Sequence, residues 1–413
     1  MVNDTAAAAE PLPDLAMFDQ TYMRDPYPIY AKLRQQLPVH KTSLPNRSFD
    51  MWVVTRYEDV KVALTSPAVS KDSARLRALI TKTAPEGAPQ FAEALGGHML
   101  NSDPPQHTRL RKLVAKAFTP RRVEQLRPRI EQITTELLDQ VAAGGEVVDL
   151  METMAFPLPV TVICELLGVP EQDQADFRRW SNSLLGNSND PQEQAKDSQD
   201  LAAYLVQLIE TKRVTPTDDL LSDLIQASDD DDSLTQGELV AMAFLLLVAG
   251  HETTANLIGN GVRALLTHPE QLAELKAKPE RIHNAIEELL RYDGPVITGT
   301  IRMTTEPLTL GEVTVPADQL LLVGLGSANR DSNKFENADE LDLDRVLGGH
   351  FGFGHGIHYC VGAPLARLEA VTAIGGLLAR FPEVSLAVPA AELNYRSSVL
   401  IRSLVELPVR PNG

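Results

Sequence analysis

The chain has 413 residues, with 56 Asp and Glu against 38 Lys and Arg, a formal net charge of −18. That length suffices to bury a large core, and the acidic balance argues against nucleic acid or an anionic membrane as a general partner. Two cysteines in very different contexts, Cys164 and Cys360, exclude a disulfide scaffold and fit a reducing, cytoplasmic compartment.

Residues 1–13 have neither a basic start nor an apolar core and read as a disordered leader, not a signal peptide. No apolar run approaches the ~20 residues that span a bilayer. Asp25-Pro-Tyr-Pro28 punctuates the entry to a short helix over 29–36. Met51-Trp-Val-Val-Thr55 is apolar and β-branched, hence a strand, and Tyr57 to Thr65 returns to helical spacing. Ala74 to Thr81 is also helical, until Thr83-Ala-Pro-Glu-Gly-Ala-Pro-Gln90 breaks it. An interrupted connection of that length inside a domain is functional or disordered.

Asn101-Ser-Asp-Pro-Pro-Gln-His-Thr-Arg-Leu-Arg111 follows, with a double proline able to open a helix. His107 and Arg111, four apart, share a face, and two donors there suit a pair of carboxylates; taken alone they also read as a solvated basic face. Arg109, Arg111, Lys112, Lys116, Arg121, Arg122, Arg127 and Arg129, opposed locally only by Glu124, reverse the field of an acidic chain, so an acidic partner could be steered there. Asp149 to Leu167 is apolar, and Cys164 within it reads as inert core. Amphipathic helices over 171–185 and 193–212 flank a turn-rich Gly186-Asn-Ser-Asn-Asp-Pro191. Asp229 to Asp232 is an exposed loop, after which Ser233-Leu-Thr-Gln-Gly-Glu238 offers N-cap residues.

Leu239 to Leu266 is apolar nearly throughout and should be a buried helix. Inside it lies Ala249-Gly-His-Glu-Thr-Thr254. A carboxylate and a hydroxyl in such a helix are expensive unless used, and Glu252 with Thr253 suits proton delivery. Glu288 and Arg291 in Glu287-Glu-Leu-Leu-Arg291 are three apart and can pair. Short strands are expected at 308–310, 313–315 and 320–325.

Phe353-Gly-His-Gly-Ile-His-Tyr-Cys-Val-Gly362 then sets one cysteine in a glycine-punctuated loop ahead of a helix-forming Ala363-Pro-Leu-Ala-Arg-Leu-Glu-Ala370. A helix N-terminus there favours thiolate over thiol. One thiolate cannot build a tetrahedral zinc site, whereas haem iron needs a single proximal protein ligand.

The Phe-x-x-Gly-x-His-x-Cys-x-Gly pattern resembles the haem-binding loop of the cytochrome P450 family, and Ala249 to Thr253 resembles that family's oxygen-activation motif, Ala-Gly-x-(Asp/Glu)-Thr, at every position. The resemblance runs from about Asp14 to Leu407. It is closest to bacterial members that hydroxylate or epoxidise macrolide-type polyketides, on the phrases 103–111 and 355–367. It implies a mainly α fold with small β-sheets, as one domain over 14–413 and as a monomer. The cofactor implied is haem (heme b, iron-protoporphyrin IX) ligated by Cys360, with His107, Arg111, Arg302 and His358 on the propionates. Glu252 and Thr253 would deliver protons for O–O cleavage. The 70–100 region would cover the substrate pocket, and the helix pair around 186–191 would form a lid over it. Electrons would come from a ferredoxin and its reductase. Glu288 and Arg291 would form the family's structural lock. Ser332 and Lys334 depart from its usual proline and arginine, and a lysine lacks the arginine fork, loosening the lock.

The expected function is a monooxygenase inserting one oxygen atom from O2 into a bulky apolar molecule, a macrolide-type polyketide or other secondary metabolite. Rival readings are a peroxide-driven haem-thiolate enzyme, a haem sensor, or a hydrolase using Cys360 with His358, for which no orienting third group is evident. Leu245, Val248, Ile297, Thr298, Val399 and Leu400 are expected to shape the pocket.

Overall fold

The computed structural model describes residues 20–43, 50–83, 95–184, 191–228, 234–346 and 348–413. The leader, the break at 84–90, the turn at 186–190 and the acidic run at 229–232 lie outside the described residues.

The fold is built around the helix Gln236–Leu266, 31 residues long. Thr235 caps it: its hydroxyl accepts from the Glu238 N–H at 3.2 Å, and Glu238 Oε2 accepts from the Thr235 N–H at 3.0 Å. This reciprocal box satisfies two of the donors that a helix start leaves orphaned. Helices Pro157–Leu167, Ile282–Asp293 and Ala363–Arg380 pack against it. This one helix is long and apolar enough to cross a membrane, contrary to the expectation from the sequence. Its apolar sides are covered by those neighbours, so it is the centre of a protein core. Gly250, a weak helix former, does not interrupt it. A Cβ there would come within 3.0 Å of the Ile163 side chain, so the glycine allows helix Pro157–Leu167 to approach.

Most of the expected elements form. Asp50–Val54 is a strand and Tyr57–Thr65 a helix; Leu308–Leu310 and Val313–Val315 pair as a hairpin. The apolar stretch 149–167 divides into a short π-helix, Met151–Ala155, and Pro157–Leu167. Cys164 is buried in it, its thiol pushed up to about 12 by that burial. The two helices expected to flank the turn at 186–191 are Gln174–Asn182 and Pro191–Val214.

The largest sheet has five strands in the order Val39–Ser43, Asp50–Val54, Leu320–Val323, Arg302–Thr304, Val69–Ser70. Its last pairing is antiparallel with Ser70 opposite Met303, which sets Lys71 beside Arg302. Asp103 ties the next segment to this edge: its carboxylate accepts from the Ser70 hydroxyl at 2.5 Å and the Lys71 N–H at 3.0 Å. Helix Gln106–Ala115 starts immediately after Pro105, so this anchor also positions His107.

Candidate functional site

The cysteine loop is held by its own backbone. The Cys360 N–H donates to the Phe353 carbonyl at 3.0 Å, and Gly354 N–H to Phe351 at 2.9 Å. Gly354 and Gly356 sit at φ 72° and 73°, the left-handed region that glycine adopts without strain. At Gly356 a side chain is excluded twice over, because a Cβ would lie 2.7 Å from the Leu64 carbonyl oxygen. Arg367, on the helix after the loop, lies over the Phe353 ring and forks onto Glu287 at 2.5 and 2.8 Å, while His350 meets Glu287 at 3.0 Å. Burial pushes Glu287 upward, but Arg367 and His350 outweigh it and hold the carboxyl down at about 2.

Within this frame the Cys360 side chain is exposed. Its thiol is nevertheless held above its usual value: the surrounding protein disfavours the thiolate, and the Gly362 and Ala363 N–H groups with Arg111 and Arg367 only partly offset this. The helix N-terminus thus acts in the expected direction without prevailing. A metal at the sulfur would supply the missing positive charge and deprotonate a coordinating thiol.

Beside the loop, three segments bring donors together. The His107 and His358 rings meet edge to face at 4.5 Å between centroids. Arg302 and Lys71 arrive from the sheet edge, and both act electrostatically on His358. Lys71 is 3% exposed and its ammonium has no hydrogen-bond partner; His107 Nε2 has none either. Arg302 donates to the Thr300 carbonyl at 2.7 Å. Gly299 leaves room for its guanidinium in this position, since a Cβ there would lie 2.7 Å from Nη1. Burial pulls Arg302 to about 10 and Lys71 well below its usual value, the latter helped by Arg302. Burial first, then Lys71, His107, Arg302 and Arg111, pull His358 to about 2. Arg111 is placed differently from His107: its Nη2 donates to the Tyr359 carbonyl at 2.6 Å, fastening the helix to the cysteine loop.

Four donors crowd together with Asp103 as the carboxylate acting on Lys71. Burying unpaired cations is costly, by several kcal/mol each. Such a set is complementary to a ligand carrying two carboxylates, and an iron-porphyrin brings those together with a metal that needs one thiolate. Among the described residues no group of three His, Cys, Asp or Glu could hold a bare metal ion. The residues present fit haem.

The core helix supplies the other half of the site. In an otherwise buried element, Phe244, Val248, Ala249 and Thr253 keep exposed surface, and their spacing puts them on one face. Leu245, expected to shape the pocket, is 8% exposed, and its neighbour Phe244 keeps more exposed surface, stacked on His98. The Thr253 hydroxyl donates to the Ala249 carbonyl at 2.9 Å. Glu252 points into protein, where burial raises its carboxyl and Arg396 and Asn256 partly offset that. The other expected pocket segments are joined: the Thr298 hydroxyl donates to Val399 at 2.7 Å and the Ile297 N–H to Leu400 at 3.1 Å.

Glu288 and Arg291 form the lock, each with a fully buried side chain and two contacts of 2.7 Å between them. Lys334 takes no part in it, so the expected loosening does not arise there; it lies over the Tyr57 ring at 5.1 Å. Arg345 does take part, donating to Glu288 at 3.2 Å and to the Glu336 carbonyl. The basic cluster is also less open than its sequence suggests. Arg109 pairs with Glu238, Arg122 with Asp223, Arg127 with Glu124 and Arg129 with Glu165. Three of those acids come from other helices, which local sequence could not reveal. Lys71, Glu287, Arg345 and Arg396 were likewise missed, since each acquires its role from a segment far along the chain.

A family model described as Cytochrome P450 matches residues 160–387. Cytochrome P450 107B1 of Saccharopolyspora erythraea is 52% identical, over 97% of this chain and 99% of its own. The vitamin D(3) 25-hydroxylase of Pseudonocardia autotrophica is 48% identical, over 95% of each chain. The structure of the P450 monooxygenase TamI with bound tirandamycin C superposes with a TM-score of 0.89 at 46% identity, over 95% of this chain and 99% of that one. Such relatives take a small-molecule substrate, external electrons and haem b. With the family matched over more than half the chain, and close relatives over nearly all of it, this protein belongs to the cytochrome P450 family and is a haem-dependent monooxygenase.

Proposed function

We propose that Cys360 is the thiolate ligand of the haem iron, and that His107, Arg302 and His358, joined by Lys71, hold the propionates, with Arg111 bracing the loop from the helix side. The observation that carries this is the exposed thiol in a rigid loop beside a buried cluster of donors with too few acceptors. Haem, when bound, supplies an iron that activates O2 for insertion of one oxygen atom into the substrate, using electrons delivered from outside. The chain's own residues do the rest. Arg367 and Glu287 keep the loop rigid, so the sulfur stays in place. Glu252 takes protons from the solvent side and passes them toward the cavity. Thr253 orients a hydrogen bond at the exposed helix face, where its hydroxyl can exchange the Ala249 carbonyl for a ligand.

The substrate we infer is a macrolide-type polyketide or comparable bulky secondary metabolite. Phe244, Val248 and Ala249 present an apolar face with few polar handles, which selects by shape. The electron donor we infer is an acidic ferredoxin with its reductase. Lys112, Lys116 and Arg121 remain exposed on the segment that follows His107, and an acidic partner would meet them. Both cysteines are free, which suits a reducing cytoplasm. One core cluster runs from Tyr22 to Val409, supporting a single domain over 14–413.

The test is the carbon monoxide difference spectrum of the dithionite-reduced protein. A strongly red-shifted Soret band, lost in Cys360→Ser, supports thiolate ligation; a haem band without that shift in the wild type rejects it. Spin-state titrations with macrolide polyketides and vitamin D(3) compare the two substrate classes. A Thr253→Ala variant that keeps full coupling to external reductant would reject its place in proton delivery.

A further inference from the structure

The Glu252 carboxyl is 3% exposed and incompletely bonded. Its Oε1 accepts from Asn256 Nδ2 at 3.2 Å, while Oε2, equally enclosed, accepts nothing. Arg396 Nη1 stands 3.9 Å from Oε1 and has no hydrogen-bond acceptor of its own. That separation is too long for a hydrogen bond but close for opposite charges. An unpartnered donor therefore stands near the bonded oxygen of a buried carboxylate whose other oxygen accepts nothing.

Arg396 comes from the far end of the chain. Its N–H donates to the Ser403 carbonyl at 2.8 Å, and the neighbouring Tyr395 and Leu404 form a β-bridge. The guanidinium is carried over the Phe156 ring at 5.1 Å, which holds it in place without using its N–H groups. Its side chain is 23% exposed against 4% for Glu252, so the arginine is the solvent-accessible member of the pair. Other titratable groups on elements packed against this helix turn elsewhere. His251 bonds Ser181 on helix Gln174–Asn182 at 3.0 Å, and Glu369 faces Thr254. Arg396 is the charged group that acts on Glu252.

We propose that Arg396 is the positioning residue for Glu252: it stabilises the ionised carboxylate from the solvent side without fixing it by a bond, so that the group can reload with a proton and turn toward the cavity. A pair locked at hydrogen-bond distance would hold the carboxylate in one orientation. The looser contact leaves Oε2 free to change partner. This rests on Glu252 being the proton relay.

Two measurements on the full-length holoenzyme test it. In an infrared pH titration of the ferric protein, the carboxyl band that disappears in Glu252→Gln reports this group alone and needs no turnover. Its midpoint should rise by about one to three pH units in Arg396→Gln, the range expected for loss of an opposite charge at this distance, and should stay near wild type in Arg396→Lys. The acid limb of the kcat profile should move with it while KM holds, and Arg396→Gln should add nothing in a Glu252→Gln background. An unmoved midpoint overturns the proposal, as does a midpoint that moves without the kcat profile, or a lysine variant that behaves like glutamine. If Glu252→Gln itself leaves kcat and coupling unchanged, the relay reading fails instead, whatever the infrared titration shows.

Discussion

The imidazoles of His107 and His358 lie edge to face, 4.5 Å between centroids, one on a helix start and the other on the cysteine loop. Neither ring is free to charge: burial lowers both, and Arg111 and Lys71 oppose a further positive charge on each. The contact brings a helix start and a loop into one donor set, and an anion between them would relieve the crowding.

Lys71 gives that statement a test with opposite signs. Its ammonium is buried with no hydrogen-bond acceptor among the described residues, so Lys71→Met should stabilise the apoprotein by about 1–3 kcal/mol. In the holoprotein the same change removes a charge-assisted bond, and haem transfer to an apo-acceptor should quicken by roughly tenfold or more. Urea unfolding of apoprotein and a stopped-flow haem-transfer assay read the two effects separately. A loss of apo stability would show that Lys71 already has its partner within the chain.

Arg291 is fully buried, forks onto Glu288 and donates to the carbonyls of Asn329, Ala338 and Glu340. Arg291→Ala should cost about 3–5 kcal/mol by stranding the Glu288 charge. Arg345→Ala, which leaves that fork intact, should cost visibly less. Denaturant midpoints with unchanged slopes decide the order; equal losses would show that the lock is a three-residue unit.

Glu369 is buried beside Thr254, and burial raises its carboxyl from 4.5 to about 8. Between those values the folded chain keeps a proton that the unfolded chain has released, so stability falls as pH rises, by roughly 1.4 kcal/mol per unit. Glu369→Gln should remove that slope, leaving the variant near wild type at pH 5 and more stable at pH 8. Melting curves across that range check it, and a variant that loses stability at pH 8 would mean the carboxylate is ionised and partnered.

His98 and His251 supply the acid limb. Burial lowers each from 6.5 to about 4, opposed at His251 by the Leu247 carbonyl and reinforced at His98 by Lys71. Between those values the unfolded chain binds protons that the native chain refuses. The stability contributed by each is therefore complete above pH 6.5 and lost as pH falls toward 4. Together the two should steepen acid unfolding by about 3 kcal/mol per pH unit, and His251→Asn should roughly halve that slope. An unchanged slope in the variant would assign the acid limb to other groups.

The chemistry of this protein and most of its local elements can be read from the order of its residues. The ten-residue cysteine loop, the Glu252-Thr253 pair in an apolar helix and the capping box at Thr235 are legible because their parts lie within one or two helical turns. There, backbone geometry makes spacing equivalent to contact. Tertiary structure alone decided the partners. Lys71 meets Arg302 through strand register, Arg345 and not Lys334 joins the lock, acids on three other helices pair with three of the eight basic residues, and Arg396 reaches Glu252 from the C-terminal end of the chain. Charges and unpaired donors act over a few ångströms of space, whatever the separation along the chain, so their arrangement exists only once the core has closed around the helix Gln236–Leu266.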